Sequence, residues 1–163
     1  MAITPEELPG LLRAIQARAA DAAPAAVMAI GQTYQKHLQK VTLRRSFAAP
    51  GQFGTPAIPG QPPAWRTGAL AMSVTTIAGA SSGTVASAWV GPHVIYARVQ
   101  NQGAVNRPTH ARYMHWINSG GEWYKRRVKI PPRPYMKPAL EDCLDNGSLT
   151  KAAIESFYVK VWG

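Results

Sequence analysis

Proline limits this chain more than any other residue. Of its 14 prolines, five fall between Ser46 and Arg66, in "SFAAPGQFGTPAIPGQPPAWR", together with three glycines, and four more stand between positions 131 and 138, in "IPPRPYMKP". Proline has no backbone donor, holds φ near about −65° and pushes the residue before it out of the helical region. Neither stretch can therefore be a helix interior or a central strand. The two clusters divide the 163 residues into a first third, a middle and an end, and each part must find its own regular structure.

The first third reads as helix. Thr4, Pro5 and Glu7 supply an N-cap, a proline at the first helical position and an acid bonding back. Leu8, Leu11, Leu12 and Ile15 repeat along one helical face, and Val27, Ile30, Tyr34, Leu38 and Val41 restore that stripe as far as about Arg45. Pro24, with Asp21 just upstream, predicts a kink or the start of a second helix. In the middle, "AMSVTTIA" (71–78) and "TVASAWV" (84–90) are β-prone runs separated by "GASSG", a hairpin pattern. Val94 to Val99 fits a strand or a short helix. Arg112 to Ile117 and Tyr124 to Ile130 flank "NSGGE", a second hairpin. Tyr135 to Leu144 and Leu149 to Val161 read as helices, with Gly147 and Ser148 as stop and N-cap. The expected fold class is α+β: an N-terminal long or kinked helix, a long Pro/Gly-rich loop, a small antiparallel β-sheet of hairpins, and C-terminal helices. With 46% hydrophobic residues the chain can bury one core, so residues 1–163 are expected to form a single domain. The segment 46–66 is an extended loop or arm, with Phe47, Phe53, Ile58 and Trp65 as candidate docking anchors; the plainer alternative is a flexible linker.

Charge narrows the partners. Eighteen Lys and Arg oppose eight Asp and Glu, a formal +10, and no acid occurs between Asp21 and Glu122. Such a surface cannot neutralise itself by ion pairs, so it favours nucleic acid or an acidic protein face. Arg44, Arg45, Arg66, Lys125, Arg126, Arg127 and Lys129 are the candidate contacts. In "EWYKRRVKIPPR" the cations are interleaved with Trp123 and Tyr124, a mixture suited to phosphate contact and stacking. The plain alternative is a solvated face kept soluble by repulsion.

The sequence offers little to an enzyme. Its carboxylates lie near the two ends, far from one another in sequence, and there is no phosphate-cradling glycine loop and no GxSxG elbow. His37, His93, His110 and His115 show no metal-site spacing, so no metal and no cofactor is expected. Cys143, the single cysteine, reads as a small buried hydrophobe on a C-terminal helix. No run reaches the roughly 20 apolar residues of a membrane span, and "MAITPEELPG" is acidic where a signal peptide is basic, so a soluble, unexported protein is expected.

Three stretches in order, "PPAWRTGALAMSV", "WVGPHVIYARVQNQGA" and "IPPRPYMKPAL", resemble the tail-completion and neck proteins of tailed bacteriophages, the small head-to-tail joining or minor tail proteins also called virion morphogenesis proteins. The matching residues are Thr67, Gly68 and Leu70, then Tyr96, Ala97 and Gly103, then Pro132, Arg133, Pro134, Tyr135, Pro138, Ala139 and Leu140. The resemblance spans about Pro62 to Leu140. Relatives often carry an acid two positions before the glycine of the second motif, where this chain has Asn101, and the stretch between the second and third motifs is longer here. The resemblance implies a non-enzymatic structural protein of the virion, at the head-tail junction or tail end, assembled in the host cytoplasm. It implies a homo-oligomeric ring, hexameric or dodecameric, that meets adjacent neck, tail-tube or connector proteins, with genomic DNA in its channel. The competing reading from the residues alone is a nonspecific basic nucleic-acid-binding protein.

Overall fold

The computed structural model describes residues 8–43, 60–63, 67–83, 85–118 and 120–162. The apolar stripe of the first third forms α1, Leu8–His37, a single helix of 30 residues with Pro24 inside it. The expected long helix forms, and of the two outcomes expected at Pro24 the start of a second helix does not occur. Proline there removes the donor to the Ala20 carbonyl, a penalty of about 3 kcal/mol, and tertiary packing along the helix outweighs it. The cap expected at Thr4 to Glu7 lies outside the described residues. After His37 the backbone widens into a π-helical turn, Leu38–Thr42, closed by Leu43 N donating to Leu38 O at 2.9 Å. Leu38, Thr42 and Leu43 are all buried there.

A short helix, α2 (Ala69–Met72), leads into β1 (Val74–Ser82), which pairs antiparallel with β2 (Val85–Pro92). The strand expected from Ala71 thus begins three residues later. Its ladder runs from Val74↔Pro92 to Ala78↔Ala88 and resumes at Ser81↔Ala86, so β1 carries one extra residue, a bulge. Thr76 and Val90 face α1 across this ribbon. Close approach is possible because Gly31 has no side chain: a Cβ there would stand 2.5 Å from Thr76 Cγ2. Thr76 Oγ1 donates to Gln35 Oε1 at 2.8 Å and Gln39 Nε2 donates to Val74 O at 3.0 Å, which fixes the register of helix on ribbon.

The ambiguous segment after β2 is helical, α3 (Ala97–Gln102), followed by β3 (Ala104–Asn106). The second hairpin forms as β4 (Met114–Asn118) and β5 (Gly121–Lys125). The single strand expected from Tyr124 to Ile130 is divided instead. Arg126 and Arg127 interrupt it, and Val128–Ile130 becomes β6, paired with β3. Among the described residues there are accordingly three two-stranded antiparallel ribbons in place of one small sheet. Two helices follow, α4 (Met136–Asp145) and α5 (Ser148–Trp162), joined through Asn146 and Gly147. Ser148 does not cap α5 as expected. Its hydroxyl donates back to Cys143 O at 3.3 Å, and its backbone N donates to Asn146 Oδ1 at 2.9 Å.

The architecture is α+β. Its core gathers Tyr34, Leu38 and Leu43 from the first helix and its end, Ala71 from α2, Val74 from the first ribbon, and Tyr135, Ala139, Cys143 and Leu149 from the C-terminal part. Cys143 is fully buried, as its sequence context suggested, and burial pushes its thiol pKa up. The helix α5 packs along α1, and Arg18 Nη1 donates to Val161 O at 3.2 Å.

Candidate functional site

The second and third motifs meet in one junction. Ala104↔Ile130 pairs β3 with β6, and the proline segment then crosses α3, where Arg133 N donates to Gln100 O at 2.8 Å. Gly103 makes that crossing possible. Its φ of +74° is in the left-handed region, and a Cβ there would lie 2.8 Å from Ile130 O and 2.9 Å from Pro132 N. Tyr135 ends the crossing with its ring in the core, and its hydroxyl donates to Ala97 O at 3.2 Å. Asn101 Oδ1 accepts from Tyr135 N at 3.1 Å and Met136 N at 3.4 Å, so it satisfies two of the free donors that start α4. Pro138 occupies the first turn of that helix, where its missing donor costs little. From α1, Tyr34 Oη donates to Met136 O at 2.6 Å. Burial is the main reason both phenols stand well above their ordinary value, each at about 12, with Cys143 and Tyr135 adding to the effect on Tyr34 and Tyr96 adding to that on Tyr135.

The first motif is elsewhere in the fold. Thr67 Oγ1 accepts from Ala69 N at 3.3 Å, Gly68 is buried ahead of α2, and Leu70 packs against the core beside Ile30 and Val90. Tyr96 is partly exposed, Ala97 is buried, Pro132 is exposed, and Arg133 and Pro134 are half-buried. The motif residues therefore build and brace the fold, and Asn101 explains its own position as a helix cap.

The β4–β5 ribbon is different in kind. Its register, Met114↔Lys125, His115↔Tyr124, Trp116↔Trp123, puts Tyr113 and Arg126 side by side just beyond the ladder. The guanidinium carbons of Arg112 and Arg126 lie 5.6 and 5.5 Å from the Tyr113 ring centroid, and Arg126 Nη2 reaches Tyr113 Oη at 3.5 Å. On the face away from Lys125, the His115 and Tyr124 rings stack at 4.5 Å. Glu122 Oε2 there accepts from Tyr124 Oη at 2.9 Å and lies 3.6 Å from His115 Nε2. Lys125, Arg126, Arg127 and Lys129 are all exposed, and none has a carboxylate partner among the described residues. Arg44, Arg45, Arg66 and the arm anchors Phe47, Phe53, Ile58 and Trp65 lie outside the described residues.

Sequence reading missed Arg112 and Tyr113, although the hairpin register carries the signal: once the turn is centred on residues 119 and 120, Tyr113 must face Arg126. It also missed the outer faces of two elements. On α5, Ile154, Tyr158 and Trp162 recur every fourth residue and are 61%, 64% and 62% exposed. On the ribbon face turned from α1, the cross-strand pair Ile77 and Trp89 is likewise exposed. No group of three or more metal-ligating side chains is clustered among the described residues, and no helix among them is long and apolar enough to cross a membrane. In comparisons with known proteins, the chain matches no family model, no curated protein and no solved structure.

Proposed function

We propose that this chain is a structural protein of a tailed bacteriophage, one that completes the tail or neck and joins head to tail by assembling into a ring and docking on its neighbours. The observation that carries the assembly half of this reading is the α5 stripe. Three large apolar side chains at i, i+4 and i+8 stand in solvent on a helix whose other side is already packed on α1. Contiguous apolar surface of that kind marks an interaction site. A second, dissimilar patch at Ile77 and Trp89 gives the surface two unlike faces, and joining unlike faces head to tail generates a ring when the rotation closes. The phage half rests on the three sequence motifs. Six subunits match a six-fold tail, with twelve as the next choice, and the partners are neighbouring neck, tail-tube or connector proteins in the virion. The role is mechanical, with no catalytic step and no cofactor.

Light scattering after size exclusion tests the assembly half at physiological salt. A discrete oligomer that dissociates in the variant Tyr158→Glu/Trp162→Glu is the expected result, and a strict monomer across the concentration range overturns self-assembly. Peptide mass spectrometry of purified particles tests the other half: the chain is expected in joined virions and isolated tails or necks, and its absence from all of them overturns the phage reading.

A further inference from the structure

We propose that the foot of the β4–β5 ribbon is a docking surface for the phosphate backbone of duplex DNA, with Tyr113 as the positioning residue that holds Arg112 and Arg126 for it. The inference stands on the ribbon and its charges alone and does not depend on ring assembly.

The charge pattern comes first. From Arg107 to Lys129 the chain carries Arg107, Arg112, Lys125, Arg126, Arg127 and Lys129 against a single acid, Glu122. That acid has partners of its own. It lies toward the turn, four residues along the chain from Arg126, and is engaged by Tyr124 and His115 rather than by the arginines of the foot. None of the six cations is paired with a carboxylate among the described residues, and all six are exposed. A surface of this sign, unrelieved by internal pairs, attracts an extended polyanion.

Geometry then selects the ligand. Both guanidinium groups rest on one tyrosine ring, which removes much of their rotational freedom before any ligand arrives. A guanidinium presents a planar fork that bonds phosphate oxygens two at a time, and fixing its plane favours that contact over a loose attraction between point charges. The same arrangement argues against single strands. Binding of an unstacked base needs an open aromatic face, whereas Tyr113, the ring at the foot, already carries two guanidinium groups. Duplex DNA, with its bases stacked inside and its phosphates outside, asks only for the cations. The surface has no feature that reads base edges, so binding is independent of sequence.

Fluorescence anisotropy on a labelled duplex of about 25 base pairs, titrated between roughly 50 and 200 mM salt, is the test. If three or four phosphates are engaged, log affinity falls with log salt at a slope of about −3 to −4. In Arg112→Gln/Arg126→Gln the affinity at low salt is expected to drop about tenfold or more, with the slope reduced by about 2. Tyr113→Phe keeps the ring and is expected to bind like the parent, whereas Tyr113→Ala loses affinity although no charge has changed. Should the arginine pair fail to fold, the single variant Arg126→Gln carries the test, with a smaller loss of affinity and the slope reduced by about 1. The proposal is overturned by any of four results: no duplex binding at the lowest salt, tighter binding of the matching single strand, competition by polyglutamate as effective as by duplex at equal charge, or a glutamine variant that binds unchanged. If DNA binding fails in a chain that still assembles, this inference falls and the assembly reading stands; a strict monomer that binds duplex does the reverse.

Discussion

The core around Tyr135 and the β4–β5 ribbon are built from similar side chains on opposite principles. In the core, polar groups bond across long stretches of sequence: Tyr34 to Met136, Tyr135 to Ala97, Arg18 to Val161, Asn101 to the start of α4. In the ribbon the bonds of Tyr124 to Glu122 and of Arg126 to Tyr113 stay within one hairpin, and the His115 and Tyr124 rings stack on each other in the open. Tyrosine shows the contrast best. Tyr135 is 1% exposed and bonds to Ala97 and Asn101, more than 30 residues away, whereas Tyr124 is 60% exposed and bonds to Glu122 within its own hairpin. Long-range contacts repay their chain entropy only when all are made together, so the core should unfold as a unit. A two-stranded ribbon in water is marginal by itself, so it should open without the core unfolding.

The sharpest way to break this contrast is to truncate one aromatic residue in each region. Tyr135→Ala removes a buried ring and a hydrogen bond and should cost about 3–5 kcal/mol by urea unfolding. Tyr124→Ala should cost under about 1 kcal/mol, because an exposed ring has little burial to lose. Equal losses would mean that the ribbon belongs to the same cooperative unit as the core.

A backbone substitution probes the core side next. Gly103→Ala forces a side chain into the left-handed region at φ +74° and against the Ile130 carbonyl and the Pro132 nitrogen, none of which can move without shifting the β3–β6 pair. A loss of about 2 kcal/mol or more is expected, again by urea unfolding. A neutral result would show that the junction is loosely held.

Alkali sharpens the comparison further. Tyr34 and Tyr135 keep their protons up to about pH 12 in the folded chain, while unfolded phenols lose theirs near pH 10. Between those values the native state holds more protons than the unfolded state, so stability is complete below about pH 10 and falls as pH rises toward 12. Urea midpoints between these pH values should fall by the equivalent of about 4 kcal/mol in the parent, about 2 from each phenol, and Tyr34→Phe/Tyr135→Phe should flatten that fall. If the double variant falls equally, the buried phenols are not its source.

The two regions were also unequally legible. Elements set by local pattern could be read directly: the stripe that makes α1, the turn of the β4–β5 hairpin, Pro138 in the first turn of α4. What could not be read depended on distant partners. Pro24 looked like a break because the packing that carries α1 past it comes from α5, at the other end of the chain. The run Tyr124 to Ile130 looked like one strand because nothing local says that Val128–Ile130 pairs with β3 while Tyr124 pairs with His115. Asn101 caps a helix that begins 35 residues later, a relation no local pattern encodes. Of the candidate site, the cations at 125–129 were legible from composition. The Tyr113 platform was not, because it forms only when the hairpin closes.

The smallest expected effect tests the ribbon's independence most directly. Glu122 accepts from Tyr124 and faces His115, so it is the one acid holding the outer face of the hairpin together. Its carboxylate is well exposed, and exposed charge pairs contribute about 0–1 kcal/mol. Glu122→Gln keeps the side-chain shape and an acceptor oxygen while removing the charge. Global stability by urea should therefore change by under about 0.5 kcal/mol, while amide hydrogen exchange within β4 and β5 should quicken relative to the α1–α5 pair. The same substitution removes the single acid of the interval 107–129, so duplex affinity should rise slightly and never fall. A large loss of global stability would tie the ribbon to the core. Unchanged exchange would show that the hairpin is held by its Trp116 and Trp123 pair, with the outer-face network contributing little to its closure.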